Sequence, residues 1–369
     1  MKLTNKFLIG FMAIAACGCG QKQSDNPLLN DFTTPYGIAP FEEITIDNYR
    51  EGILLGMEEQ KAEIEAIINN PEEPTFQNTI VAMDQSGKLL RKVRGTFSPL
   101  TSSNSTEESR ALEKELSPLM SAHSDDINLN EKLFARVKKV YDNRENIKLT
   151  PEEKTVLENI YKRFVNSGAE LSETEKEKLR ELNQQLSMLE LTFSQNLLHE
   201  TNNTFVVANS LEELKGLPQA NIDAAAKMAA DNGQPGKWMF NMQRPSCNPE
   251  LQYCENRDLR KKVYDAYYNR GNTGNEYDSK EICRQLVTLR LEKAKLMGYN
   301  NYAEMVLEDR MAKTPEAVFE LLDQVWEPAV AKAKEELDDI RAEIRKEGKD
   351  FEPAGWDYAY YLDKAKKAK

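Results

Sequence analysis

Histidine is almost missing from this sequence: His123 and His199 are the only two in 369 residues. They stand far apart, so no two histidines share one turn of a helix. Metal chemistry that needs such a pair is excluded for these 369 residues alone. Basic residues are short as well, with 49 Lys and Arg against 61 Asp and Glu and a formal net charge of -12. That balance excludes nucleic acid as an expected partner, because neutralising phosphates needs a basic surface. There is no Gly-rich phosphate loop and no G-x-S-x-G elbow. Neither histidine stands beside a Ser or Cys in a pattern that supports a catalytic triad. What is present, 40% hydrophobic and 30% charged residues, is the composition of a folded chain.

The first residues read as an address. Lys2 and Lys6 form a basic start, and Phe7–Ala16 is an apolar stretch. A membrane span needs ~20 apolar residues, so this stretch is too short to be one. Ile14-Ala15-Ala16-Cys17 looks like a bacterial lipobox, which predicts a signal peptide over 1–16 and lipidation of Cys17. Cys19 is a second candidate with a poorer preceding sequence, and an ordinary cleaved secretory signal is the alternative. Residues 17–26 then serve as a tether. The expected location is the bacterial cell envelope, lipid-anchored to the outer membrane and facing the periplasm. Each lipid CH₂ buried there contributes ~0.8 kcal/mol.

Cysteine is sparse in the rest of the chain: Cys247, Cys254 and Cys283. An odd number leaves at least one free thiol. Cys247 and Cys254 could pair, but buried, unreactive thiols are the favoured reading. No C-x-x-C and no neighbouring His supports zinc ligation here.

Helical signals dominate from residue 27 to 369. Asp47 can cap a helix carrying Tyr49, Ile53, Ile64 and Ile67 inward, and Thr75 opens another. Thr150-Pro151-Glu152-Glu153 combines an N-cap, a first-turn proline and a capping-box glutamate. Ser172 to Glu175 repeats the box before Leu179, Leu182, Leu186, Leu189 and Phe193. That seam predicts a helix hairpin packed as in a coiled coil. Thr204–Ala208 and Trp238–Met242 have strand character and predict one small β-hairpin around a short Ala-rich helix. Thr314-Pro315 opens a long helix with Val318, Leu321, Leu322, Val325, Trp326, Leu337, Ile340 and Ile344. After Gly348 a final helix begins, rich in aromatics at Trp356, Tyr360 and Tyr361. With little chain left to cover that face, it is expected to be exposed, to limit solubility and to mark a truncated chain, a frayed C-terminal helix docked on the body being the alternative.

Several segments now form an ordered set: Asn26-Pro27-Leu28-Leu29, Thr34-Pro35-Tyr36-Gly37, Pro74 to Ile80, Ser121-Ala122-His123-Ser124-Asp125 and Leu129 to Phe134. They are followed by Asn256-Arg257, Tyr267 to Gly271, Gly298 to Ala303 and Glu308 to Pro315. In this order they resemble the thimet-oligopeptidase family of zinc metallopeptidases, and within it the bacterial peptidyl-dipeptidases, over nearly all of 26–369. The resemblance implies a mainly α, multi-helical fold with a deep channel and oligopeptide substrates. It also implies a monomer, and an H-E-x-x-H zinc helix completed by a later Glu. In that motif the two His lie four residues apart on one helix face and so share a metal, while the Glu polarises the attacking water. No such motif occurs here. No residue is therefore assigned a catalytic or metal-binding role, and the chain is expected to bind no zinc by itself. Zinc belongs to the intact family enzyme. A non-catalytic helical lipoprotein that binds peptides or a partner is the alternative.

His199-Glu200-Thr201-Asn202-Asn203 begins like the motif but carries Asn203 where the second His belongs. His199 is expected to serve a helix C-terminus, and His123 to sit in a Ser/Asp-rich turn between helices. Glu59, Glu63, Glu335, Glu336, Asp338 and Asp339 read as solvated helix faces. Tyr267, Tyr268, Arg270 and Asn272 could line a peptide channel or simply pack and cap.

Overall fold

A computed structural model describes residues 24–368. The expected signal peptide 1–16, Cys17, Cys19 and most of the tether lie outside the described residues. The chain divides into two compact units, residues through Asn69 with Val81–Leu112, and Asn70–Ile80 with Glu113–Lys369.

In the first unit, α1 (Ile46–Ile68) is capped by Thr45 rather than Asp47. The Thr45 hydroxyl accepts from the Asn48 N–H, and the Asn48 side chain accepts from the Thr45 N–H. This reciprocal cap satisfies two of the N–H groups that a helix start leaves orphaned. The segment opened by Thr75 turns as Phe76–Val81 and α2 (Ala82–Gln85). It then breaks at Gly87, whose φ of 69° is left-handed. α3 (Lys88–Ser103) follows and packs along α1. The two backbones approach so closely at Gly56 that an added Cβ would lie 2.8 Å from the Leu90 Cα. Gly56→Ala is therefore expected to lose about 1–3 kcal/mol through overpacking, read as a lower denaturant midpoint with unchanged helicity in the native baseline.

α4 (Glu107–Asn128) continues the sequence into the second unit. It contains His123, which is thus on a helix and not in a turn; the Ser/Asp-rich stretch continues the helix to Asn128. α5 (Glu131–Asp142) and α6 (Pro151–Asn166) pack together, with Tyr141 stacked on Tyr161 at 3.8 Å. The predicted box at Thr150 forms: its N–H donates to Glu153 at 2.8 Å, and the Glu153 N–H donates back to the threonine hydroxyl. α7 (Glu173–Asn203) buries Leu179, Leu182 and Leu186. Its principal helix partner is a distant one, α11 (Lys280–Leu296), and not the preceding α6. The hairpin expected from the leucine seam fails because a seam states which face is apolar, not which element covers it.

β1 (Phe205–Ala208) pairs antiparallel with β2 (Trp238–Asn241), joining Phe205 to Asn241 and Ala208 to Trp238. Between them α8 (Gln219–Asp231) supplies the expected Ala-rich helix. α9 (Arg244–Tyr253) and α10 (Arg257–Tyr268) close over the hairpin. Their shared core holds Val206, Phe240, Met242, Leu214, Leu259 and Val263, with Cys247 and Cys254 as buried free thiols. Cys283, on α11, departs from expectation: it is free but exposed.

After α12 (Tyr302–Leu307) comes the long α13 (Pro315–Lys346), then α14 (Gly355–Ala368). The aromatic face of α14 is not exposed. Tyr360 and Tyr361 are 4% and 1% accessible, packed with Ile340 and Ile344 of α13. α14 also lies against α9 and α10. The cover comes from earlier helices returning in space, which the local sequence does not reveal.

Candidate functional site

The H-E start near the end of α7 resolves into a loop clamp. Glu200 is 2% accessible. One carboxylate oxygen accepts from the Gly271 N–H, and the other from Thr273 Oγ1 at 2.5 Å and Asn275 Nδ2 at 2.9 Å. Burial acts to raise this carboxyl, but the three donors outweigh it and hold the group below the usual carboxylate range. His199 stacks on Tyr277 at 3.7 Å, nearly parallel. Asn203, standing at the second-His position, donates to the His199 carbonyl at 2.9 Å. A carboxylate already accepting three hydrogen bonds, a ring stacked on tyrosine and an amide in place of imidazole do not fit a zinc centre. Among the described residues, no group of three or more His, Cys, Asp or Glu side chains is arranged to hold a metal.

The clamp has a use of its own. It fixes the loop between α10 and α11, where Arg270 stacks on Tyr267 and donates to Thr201 Oγ1 at 2.7 Å. Glu200→Gln removes the charge and turns one acceptor into a donor facing donors. A loss of about 1–3 kcal/mol is expected, with amide exchange accelerating at Gly271, Thr273 and Asn275 before it does so in α7.

A second cluster joins the end of the chain to its middle. Asp357, fully buried, receives Arg257 Nη2 at 2.7 Å and Nε at 3.0 Å, Arg260 Nη2 at 2.8 Å, and the Ala354 N–H at 3.0 Å. Arg260 is itself 1% accessible. It donates to the Cys254 and Trp356 carbonyls and lies over the Tyr360 ring. Burial would raise the Asp357 carboxyl, yet Arg257, the Ala354 N–H and Arg260 hold it below its ordinary value. Beside this anchor a cleft of about 390 Å³ is lined by Tyr264, Tyr268, Leu337, Pro353, Gly355 and Tyr358. Tyr268, a residue expected either to line a channel or to pack, is exposed there.

The acidic helix positions divide. Glu335 and Asp338 pair with Lys332 and Arg341 at the surface, as expected. Glu63 instead caps the turn at Gly87, accepting its N–H at 2.6 Å. Glu250 gave no signal in the sequence. It sits on the face of α9 that carries Cys247 and Cys254, is fully buried, and has no partner for either carboxylate oxygen. Burial pushes its carboxyl up to about 8. Only its spacing of three and four from the two cysteines could have placed it inward.

Comparison with known proteins gives these features a context. Residues 250–369 match the model of Peptidase family M3. The Escherichia coli dipeptidyl carboxypeptidase is 34% identical over 93% of this chain and 50% of its own length. The Salmonella typhimurium dipeptidyl carboxypeptidase is 32% identical over 94% and 51%. Oligopeptidase A of Haemophilus influenzae is 30% identical over 92% and 50%. The match to the Peptidase family M3 model is thus confined to residues 250–369, while likeness to dipeptidyl carboxypeptidases extends over most of the chain, which spans about half the length of these relatives.

Proposed function

We propose that these residues form the non-metal-binding half of an exported, zinc-dependent peptidyl-dipeptidase that releases C-terminal dipeptides from oligopeptides. The observation that carries this reading is the 34% identity to a dipeptidyl carboxypeptidase across 93% of the chain, in a sequence without H-E-x-x-H. The helical second unit would supply channel wall and restrict which peptides enter. The catalytic zinc and its ligands would come from polypeptide that these 369 residues do not contain. No step of hydrolysis is assigned to a residue here, because the 199–203 segment does not fit the metal.

The test is metal analysis and a peptide-cleavage assay on the purified 369-residue chain. The expected result is less than stoichiometric zinc and no release of dipeptides. Stoichiometric zinc with chelator-sensitive cleavage would overturn the reading. The envelope location rests on the lipobox-like sequence before Cys17. Labelling with a radioactive fatty acid in a bacterial host is expected to mark the chain and to vanish in Cys17→Ser. Retained label in that variant would shift lipidation to Cys19.

A further inference from the structure

We propose that the cleft between the segment 74–77 and the start of α6 is a binding site for a dipeptide with apolar side chains and free termini. The cleft lies within the second unit and shares no residue with the Glu200 and Asp357 clusters. Its ligand does not depend on the peptidase reading.

The cleft holds about 390 Å³, at the small end of the range for ligand pockets. Its walls are fixed by bonds made outside it. Arg136 on α5 donates to the Asn70 carbonyl at 2.9 Å and the Glu72 carbonyl at 3.3 Å, and Lys139 pairs with Glu73. The Thr75 N–H donates to Asn78 Oδ1 at 2.8 Å, and the Asn78 N–H donates back to Thr75 Oγ1 at 3.1 Å. These contacts hold the segment against α5. The other wall, 143–153, is set by Asn146 Nδ2 donating to Asn143 Oδ1 at 2.9 Å and by the box between Thr150 and Glu153. A cavity framed in this way is preformed, so little ordering is left for a ligand to supply.

What these bonds leave unused defines the ligand. Phe76, Val140, Ile147 and Leu149 line the cleft, an apolar surface that takes an apolar side chain out of water. Lys148 and Glu153 stand in the same lining. Among the described residues Lys148 forms no ion pair, and Glu153 gives only Oε2 to the capping box. The two are not paired with each other. An unpaired cation and a free carboxylate oxygen around one apolar cavity match a molecule with a carboxylate at one end and an ammonium at the other. Two amides complete the lining. Gln77 makes no side-chain hydrogen bond among the described residues, and Asn143 keeps Nδ2 free while its Oδ1 accepts from Asn146. Amides of this kind both donate and accept, as a peptide bond between the two charged ends requires. A free amino acid meets the charges but not the amides, and a cavity of this size limits the length of the chain it takes.

The test is calorimetric titration of the purified 369-residue chain with Leu-Leu, and a single saturable site per chain is expected. Leucine, Gly-Gly, N-acetyl-Leu-Leu and Leu-Leu amide each remove one element of the match, and each is expected to bind more weakly. Lys148 is exposed, so Lys148→Ala leaves the fold intact. It is expected to weaken Leu-Leu by roughly threefold, the scale of an ion pair at a rim, and to leave Leu-Leu amide unchanged. Glu153→Gln keeps the capping box. It is expected to weaken Leu-Leu by a similar factor and to leave N-acetyl-Leu-Leu unchanged. Absence of saturable heat with Leu-Leu overturns the proposal. So does Leu-Leu binding that neither substitution weakens, which would place the dipeptide elsewhere on the chain. Cleavage enters neither measurement, so this site and the peptidase reading stand or fall separately.

Discussion

Asp357→Ala is expected to destabilise the second unit by roughly 3–5 kcal/mol, the range found when one member of a buried ion pair is removed. The size follows from what remains. Arg260 would stay 1% accessible with its guanidinium still held by the Cys254 and Trp356 carbonyls, but without a countercharge. Arg257 would lose a bidentate partner and keep its places over the Phe351 ring at 4.1 Å and the Trp356 ring at 5.5 Å. Because Asp357 stands near the start of α14 and both arginines on α10, the loss falls on the junction between the two helices. Proteolysis is expected to release the segment after Gly348 before the β-hairpin core opens. The pH dependence has a definite sign. A carboxyl held below its ordinary value stabilises the fold above that value, and the contribution fades as pH falls through the depressed one. Acid should therefore weaken the wild type more than Asp357→Ala. A variant that melts like wild type would show that α14 is held by its tyrosines alone.

Glu250 predicts the opposite pH dependence. Its carboxyl titrates at about 8 in the folded chain against an ordinary 4.5. A group raised in this way favours folding below its unfolded value, and that contribution is lost as pH rises through the folded one. Stability of the wild type should thus decline between about pH 4.5 and pH 8. Glu250→Gln cannot ionise, so the difference between the two proteins isolates the group. At pH 9 the variant should be the more stable by on the order of 3–5 kcal/mol, at about 1.4 kcal/mol per unit of separation. At pH 4 the two should agree to within about 1 kcal/mol. Denaturant midpoints across that range would measure it, and a flat difference would show that Glu250 acquires a partner in solution. The neighbouring Cys254 thiol, pushed up to about 11 by burial, is expected to stay unreactive toward alkylating reagents until the unit unfolds. Cys283 should react at once.

Local chemistry was legible in the sequence wherever one segment carries its own cause. The caps at Thr150 and Ser172 act within three residues, and both form. The hairpin at 205–241 and the helix inside it were visible from composition and turn residues. The mainly α class followed from the repeat of apolar steps. Misreadings arose where the cause is remote. The stretch around His123 is polar enough for a turn, yet α4 runs through it to Asn128. The seam of α7 found α11 instead of α6. The aromatic face of α14 was assigned to solvent because the helices that cover it lie in the chain before it.

The sequence by itself determined the mainly α class, the capping boxes at Thr150 and Ser172, the lack of an H-E-x-x-H pair and the resemblance to a peptidase family, all of which depend on residues close together or on their order. Only the tertiary structure decided that Glu200 clamps a loop some seventy residues onward, that Asp357 joins two arginines about a hundred residues earlier, and that one end of α13 is covered while the other is bare. An apolar stripe records that a helix needs a partner. Which partner, and over what length, is settled by the packing of elements distant in sequence.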